Sequence, residues 1–177
     1  MPRQNGKGGA SPPIPVSILP QKADDTSDST MMQTFVRATL TVLLIATSVV
    51  SVLVDWNDSH VFHPDWHPHA RFHDIVLLLF LVGLSLLAIW LLWRKGAEPS
   101  IAVVVAMGIL LCFWGSFFAA AAIPGSSPVA HVGEEPARLL GIPLHTNMVI
   151  ATVTCIATLI CGALWWRHRP ESAEASR

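Results

Sequence analysis

The chain has 177 residues, 52% of them hydrophobic and only 13% charged, with a formal net charge of −1 and a mean hydropathy of +0.52. Soluble domains carry about 25% charged residues, so this composition excludes an ordinary water-soluble fold, and the near-zero charge leaves no basic footprint for nucleic acid. There is room for about one domain, and the three cysteines, Cys112, Cys155 and Cys161, all lie in apolar stretches, where they read as small buried residues rather than a disulfide framework.

Residues 1–33 are rich in Pro, Gly, Ser, Asp and Gln without an apolar period. Such a segment cannot bury enough surface to offset its ordering entropy, and it reads as a disordered cytoplasmic tail. No apolar stretch follows its early basic residues, so it is not a secretory signal. Met31 and Met32 stand just ahead of the first apolar run, and translation starting there would remove most of the tail.

A four-span domain over 34–167 follows, with apolar runs at about 35–54, 75–93, 101–123 and 148–166, and 168–177 form a C-terminal tail. Each run has about the 20 residues needed to cross a hydrocarbon core as a helix. Helices are expected because they satisfy their own backbone in lipid. The fold class expected is therefore all-α, an integral membrane four-helix bundle. Gly108, Cys112, Gly115 and Ala119 recur at spacings of three and four on the third run, a pattern that lets helix backbones approach closely. Thr41, Thr47, Ser48 and Ser51 on the first run and Thr152, Thr154 and Thr158 on the fourth are expected to hydrogen-bond within or between helices.

The basic residues set an orientation. With the N-terminus inside, nine of the eleven lie on the cytoplasmic side and only Arg71 and Arg138 on the other. Both termini are expected in the cytoplasm, with a bacterial cytoplasmic membrane as the simplest setting. Trp93, Trp165 and Trp166 then mark one interface and Trp56 and Trp66 the other, as in an aromatic belt. The partners expected are the lipid bilayer and, in a homo-oligomer, further copies of the chain; the substrate stays unassigned.

Seven of the eight histidines fall in the two loops on the far side, together with Asp55, Asp58, Asp65, Asp74, Glu134 and Glu135. Imidazole is the commonest metal ligand. Pro68 suits the first turn of a helix. If the second helix begins there, His69 and His73 lie one turn apart on one face, a spacing that suits two imidazoles on one transition metal such as zinc or iron. His60, His63 and His67 fall on irregular chain, and Asp74 is placed to ligate or to orient. In the second loop, Glu134-Glu135-Pro136 reads as the start of a short helix through Leu140, laid on the bilayer surface by Leu139, Leu140, Ile142 and Leu144. His131, Glu134, Glu135 and His145 are further candidate ligands. Histidine, aspartate and tryptophan are also at home at a membrane–water interface, so a solvated connection anchored by its tryptophans accounts for the first loop without any chemistry.

The stretch Asp55-Trp56-Asn57, His60, Pro64-x-Trp66-x-Pro68-His69-Ala70-x-Phe72-His73 resembles the first outer loop of a family of small four-helix membrane proteins of unknown function. The resemblance adds His60 to His69 and His73 as candidate metal ligands. His63 stands where that family has Asn and His67 where it has Pro, so a ligand set common to such proteins does not need either. No activity comes with the resemblance. Three readings stay open: a metal-dependent enzyme acting on a lipid-soluble small molecule at the outer face, a metal-handling protein, and a structural or accessory membrane protein. No catalytic residue is singled out.

Overall fold

The computed structural model describes residues 21–96, 98–129 and 136–169, with side chains from residue 27 onward and without that of Ile142. Four helices carry the fold: α1 (Gln21–Asp55), α2 (Pro68–Trp93), α3 (Pro99–Ala121) and α4 (Thr146–His168), with a small hairpin, β1 (Ala137–Leu139) and β2 (Ile142–Leu144), ahead of α4. All four helices are long and apolar enough to cross a membrane. Each packs against its neighbours in the chain, α4 closes back on α1, and α1 also touches α3 across the diagonal. Alternating helix direction puts residues 56–67, 122–129 and 136–145 at one end of the bundle, here called the loop end.

Each helix turns one stripe inward. On α1 it is Val36, Leu40, Leu44, Thr47, Ser48 and Ser51; on α2 Leu78, Leu81, Ser85, Ala88 and Leu92; on α3 Ala102, Val103, Ala106, Leu110 and Trp114; on α4 Ala151, Thr154, Thr158, Cys161 and Trp165. Many of these are small, which suits helices that associate in lipid by close packing and hydrogen bonds. Many large apolar side chains point outward as well, with Leu53 69%, Phe80 62% and Val153 61% exposed. An apolar patch of that extent is unstable in water and natural against acyl chains.

Four expectations need correction. α1 begins at Gln21, not near Phe35, because a helix already nucleated by an apolar span extends without a second nucleation step. The segment expected as a short helix from Glu134 to Leu140 forms β1 over its final residues, so the fold is mostly rather than wholly helical. Seven residues are too few for a stable helix without tertiary support, and a two-residue turn at Leu140-Gly141 pairs Leu139 with Ile142. Both turn residues have positive φ, 51° and 82°, the pattern of a type I′ hairpin whose twist matches that of its strands. The small-residue stripe on α3 does not meet another helix of the chain: Gly108, Cys112 and Ala119 lie on the exposed side, and a Cβ at Gly108 or Gly115 would meet nothing within 4 Å. The close approach is on α4, where Gly162 accommodates the Met107 side chain of α3. Cys161 is buried, but Cys155 is only partly so and Cys112 is exposed; all three are free thiols.

Opposite the loop end, polar side chains stitch the helices. Gln33 Nε2 donates to the carbonyl of His168 at 2.7 Å, joining α1 to α4. Arg37 donates to the Leu92 carbonyl and lies over the Trp93 ring, whose Nε1 donates to Thr41 at 2.9 Å, joining α1 to α2. Trp165 is fully buried rather than turned to lipid, and its Nε1 lies 3.3 Å from Ser100 Oγ, joining α4 to α3. A short turn with Gly96 at φ 80° connects α2 to α3.

Candidate functional site

The loop after α1 is built by its own side chains. Asn57 Nδ2 donates to the carbonyls of Val54 at 2.6 Å and Leu53 at 3.3 Å, satisfying carbonyls that the end of a helix leaves open. Its Oδ1 accepts from the Ser59 amide at 2.8 Å and stands 2.5 Å from Ser59 Oγ. The Val61 amide returns to the Asp55 carbonyl at 3.0 Å, and the Val61 side chain is fully buried. An otherwise polar loop is thus pinned into the bundle end by one apolar residue.

This folding carries His60 back over the end of α1. His60 Nε2 lies 3.8 Å from Asp55 Oδ1, its Nδ1 is 2.8 Å from Ser59 Oγ, and its ring meets Trp66 edge-on. Asp74, from the second turn of α2, lies close enough for its charge to act on both His60 and Asp55. Its Oδ2 is buried without a hydrogen-bond partner. Two carboxylates therefore flank one imidazole at the junction of α1, the loop and α2. Burial at this corner pushes both carboxyls, Asp55 and Asp74, above the usual carboxylate range, because the charged form loses its water.

Asp55 and His60 also border a cavity of about 440 Å³ at the loop end of the bundle. Its walls come from α1 (Val54), α3 (Phe113, Trp114, Phe117) and α4 (Ile150), and the hairpin segment lies over it through Pro136, Ala137 and Leu144. His145 and Asn147 add polar groups at the start of α4. Asn147 Nδ2 donates to the Pro128 carbonyl at 3.2 Å, holding the loop against that helix. Trp114 Nε1 donates to Thr47 Oγ1 at 2.9 Å. A few polar groups at one side of an apolar, aromatic-lined space of this volume match the usual make-up of a small-molecule site.

The other histidines have distinct places. α2 begins at Pro68 with His67 as its N-cap, and His67 Nδ1 accepts from the His69 amide. His63 Nδ1 accepts from the Asp65 amide at 3.2 Å, the two-residue reach an asparagine makes in an Asx turn, and Arg71 donates to the His63 carbonyl at 3.0 Å. Both rings thus close turns. His69 and His73 stand together on the exposed side of α2 with their Nε2 atoms 3.1 Å apart. His145 reaches the cavity. His131, Glu134 and Glu135 lie outside the described residues. His60 faces Asp55 instead of joining the other pair, and among the described residues no three His, Cys, Asp or Glu side chains converge on one ion position.

Sequence reasoning grouped Asp55 with the loop histidines but missed it as the neighbour of His60, and it missed Asn57, Trp114 and Asn147. The available signal was the Asp-Trp-Asn-Asp-Ser-His order itself, in which an Asn just past a helix end both caps and turns the chain. Trp114 left no local signal, since it sits inside a uniformly apolar run.

Residues 39–143, more than half of the chain, match DUF6640, a family of unknown function. The chain belongs to that family. The match runs from within α1 into β2 and so includes the whole of loop 56–67. No curated protein and no solved structure matches the chain.

Proposed function

We propose that this member of DUF6640 is a multi-pass membrane protein that admits a lipid-soluble small molecule to the loop-end cavity and presents it to the Asp55–His60 pair. The cavity carries the reading: about 440 Å³, walled by Phe113, Trp114 and Phe117, with the two titratable side chains on one border. An apolar body packs against the aromatic wall while a hydroxyl, carbonyl or amine on it reaches His60. The ring is then a general acid or base, held at Nδ1 by Ser59 Oγ and with the Asp55 carboxylate 3.8 Å from Nε2. The excess of basic residues toward the termini supports placing the loop end on the non-cytoplasmic face of a bacterial cytoplasmic membrane. His145, on the lining of the same space, is proposed as a further polar group of the site. A resident metal there would need ligands beyond the described set, so proton transfer is the chemistry favoured.

The test uses the full chain in lipid nanodiscs with a photoactivatable fatty alcohol. Labelling should concentrate on peptides spanning 50–60, 113–117 and 144–150. It should fall in Ile150→Trp and Val54→Trp, which fill the cavity. His60→Gln should weaken competition by hydroxyl-bearing molecules more than by plain alkanes. Labelling spread over the outer faces of the helices and indifferent to cavity filling would overturn the proposal.

A further inference from the structure

His69 and His73 stand apart from the cavity, whose lining includes no residue of α2. Both are exposed, so no packing requirement accounts for two imidazoles here. Their rings are perpendicular, with centroids 4.5 Å apart, and the Nε2 atoms face each other at 3.1 Å. Two imidazole nitrogens bound to one ion at about 2.0–2.1 Å lie roughly 2.9–3.4 Å apart for bond angles between square and tetrahedral. The pair is therefore already at the bite of a chelate. Its backbone is held in place by a proline at the first helical position and by the His67 cap, so little ordering remains to oppose binding.

We propose that His69 and His73 form a two-imidazole site for a borderline divalent transition metal, with Cu²⁺, Ni²⁺ and Zn²⁺ as the ions whose preference for nitrogen fits it. The hard ions Mg²⁺ and Ca²⁺ require oxygen donors and are not bound. The described residues supply no third side chain, so water or an incoming donor completes the shell. Such a site is open and exchangeable, suited to capturing an ion at the membrane surface rather than to holding a structural metal. It shares no residue with the cavity, and either proposal can fail without the other.

The experiment is a calorimetric titration of the full chain, purified in nanodiscs without a polyhistidine tag, with Ni²⁺, Cu²⁺ and Zn²⁺ in turn. One equivalent per chain is expected, together with a rise in Tm that grows with metal concentration. Losing a ligand should weaken binding at least as much as losing a supporting residue does, roughly 10–100-fold, in each of His69→Ala and His73→Ala. His60→Gln and His145→Gln should bind as the wild type does. Because both rings are exposed, a melting curve of the metal-free variants checks that they fold, and His73→Gln serves as a second variant should His73→Ala not fold. Equal binding by wild type and the His69→Ala/His73→Ala double variant, or no saturable binding by the wild type, would overturn the proposal.

Discussion

Trp114 on α3 donates its indole N–H to Thr47 on α1 across 2.9 Å in the buried centre of the bundle. The bond spans the diagonal, and Trp114 also lines the cavity. Interhelical hydrogen bonds in membrane proteins average about 0.6 kcal/mol in double-mutant cycles. A cycle over Trp114→Phe and Thr47→Val, followed by denaturant unfolding in mixed micelles, should return a coupling energy near that size. A value indistinguishable from zero would mean that the two side chains merely lie close together.

Asn57 serves two masters, donating to the end of α1 and accepting from the turn that follows. Asn57→Ala should lower stability by about 1–2 kcal/mol, the combined loss of two modest hydrogen bonds. Asn57→Asp keeps the acceptor, loses the donor, and sets a negative charge at a helix C-terminus, where it is unfavourable. It should therefore do no better than alanine. A rescue by aspartate, seen in thermal melts, would show that the turn matters and the cap does not.

Leu140 is 95% exposed and sits at φ 51°, a conformation that costs a branched side chain about 1–2 kcal/mol. Leu140→Asn would create the Asn-Gly pair that type I′ turns favour. The hairpin is small, so the gain should appear as slower amide hydrogen exchange at residues 137–144 rather than as a large change in Tm. Faster exchange in the variant would indicate that the exposed leucine is held by something outside the chain.

Gly162 faces the end of the Met107 side chain, the nearest atom to any added Cβ. A thioether is flexible enough to yield, and alanine is the better helix former by roughly 1 kcal/mol. Gly162→Ala should thus change stability by no more than about 0.5 kcal/mol, since the two effects oppose. Gly162→Leu cannot be absorbed by one rotamer change and should destabilise by about 1–3 kcal/mol, as overpacking does. Reversible unfolding of both variants in micelles distinguishes these outcomes.

The spans were legible because lipid demands long apolar helices, and a proline before a His-Ala-x-Phe run marks a helix start whatever surrounds it. Pro68 is indeed the first residue of α2, and the pairing of His69 with His73 followed from that position and the helical period alone. Three features were not legible, each for its own reason. The upstream extent of α1 depends on propagation from a neighbour, which local composition does not record. The α3 glycines fit the usual close-packing pattern, but lipid and protein are both apolar, so hydrophobicity cannot tell which face of a helix meets which. The meeting of Asp55 with His60 depends on the turns set by Asn57 and on the seating of Val61, and no periodicity encodes those.

The polar stitches between helices gather at the end away from the loops: Gln33 to α4, Arg37 and Trp93 between α1 and α2, and Trp165 to Ser100. With α2 and α3 joined there by a short turn, every adjacent pair is fastened at that end. At the other end, long loops lead between helices, and among the described residues the deepest cross-tie is the Trp114–Thr47 bond. A bundle fastened like this is expected to be stiffer at its stitched end than at its loop end, like a clothes peg gripped at its spring. On the proposed function, a molecule dissolved in the bilayer would enter the cavity sideways, between helices rather than through the loops.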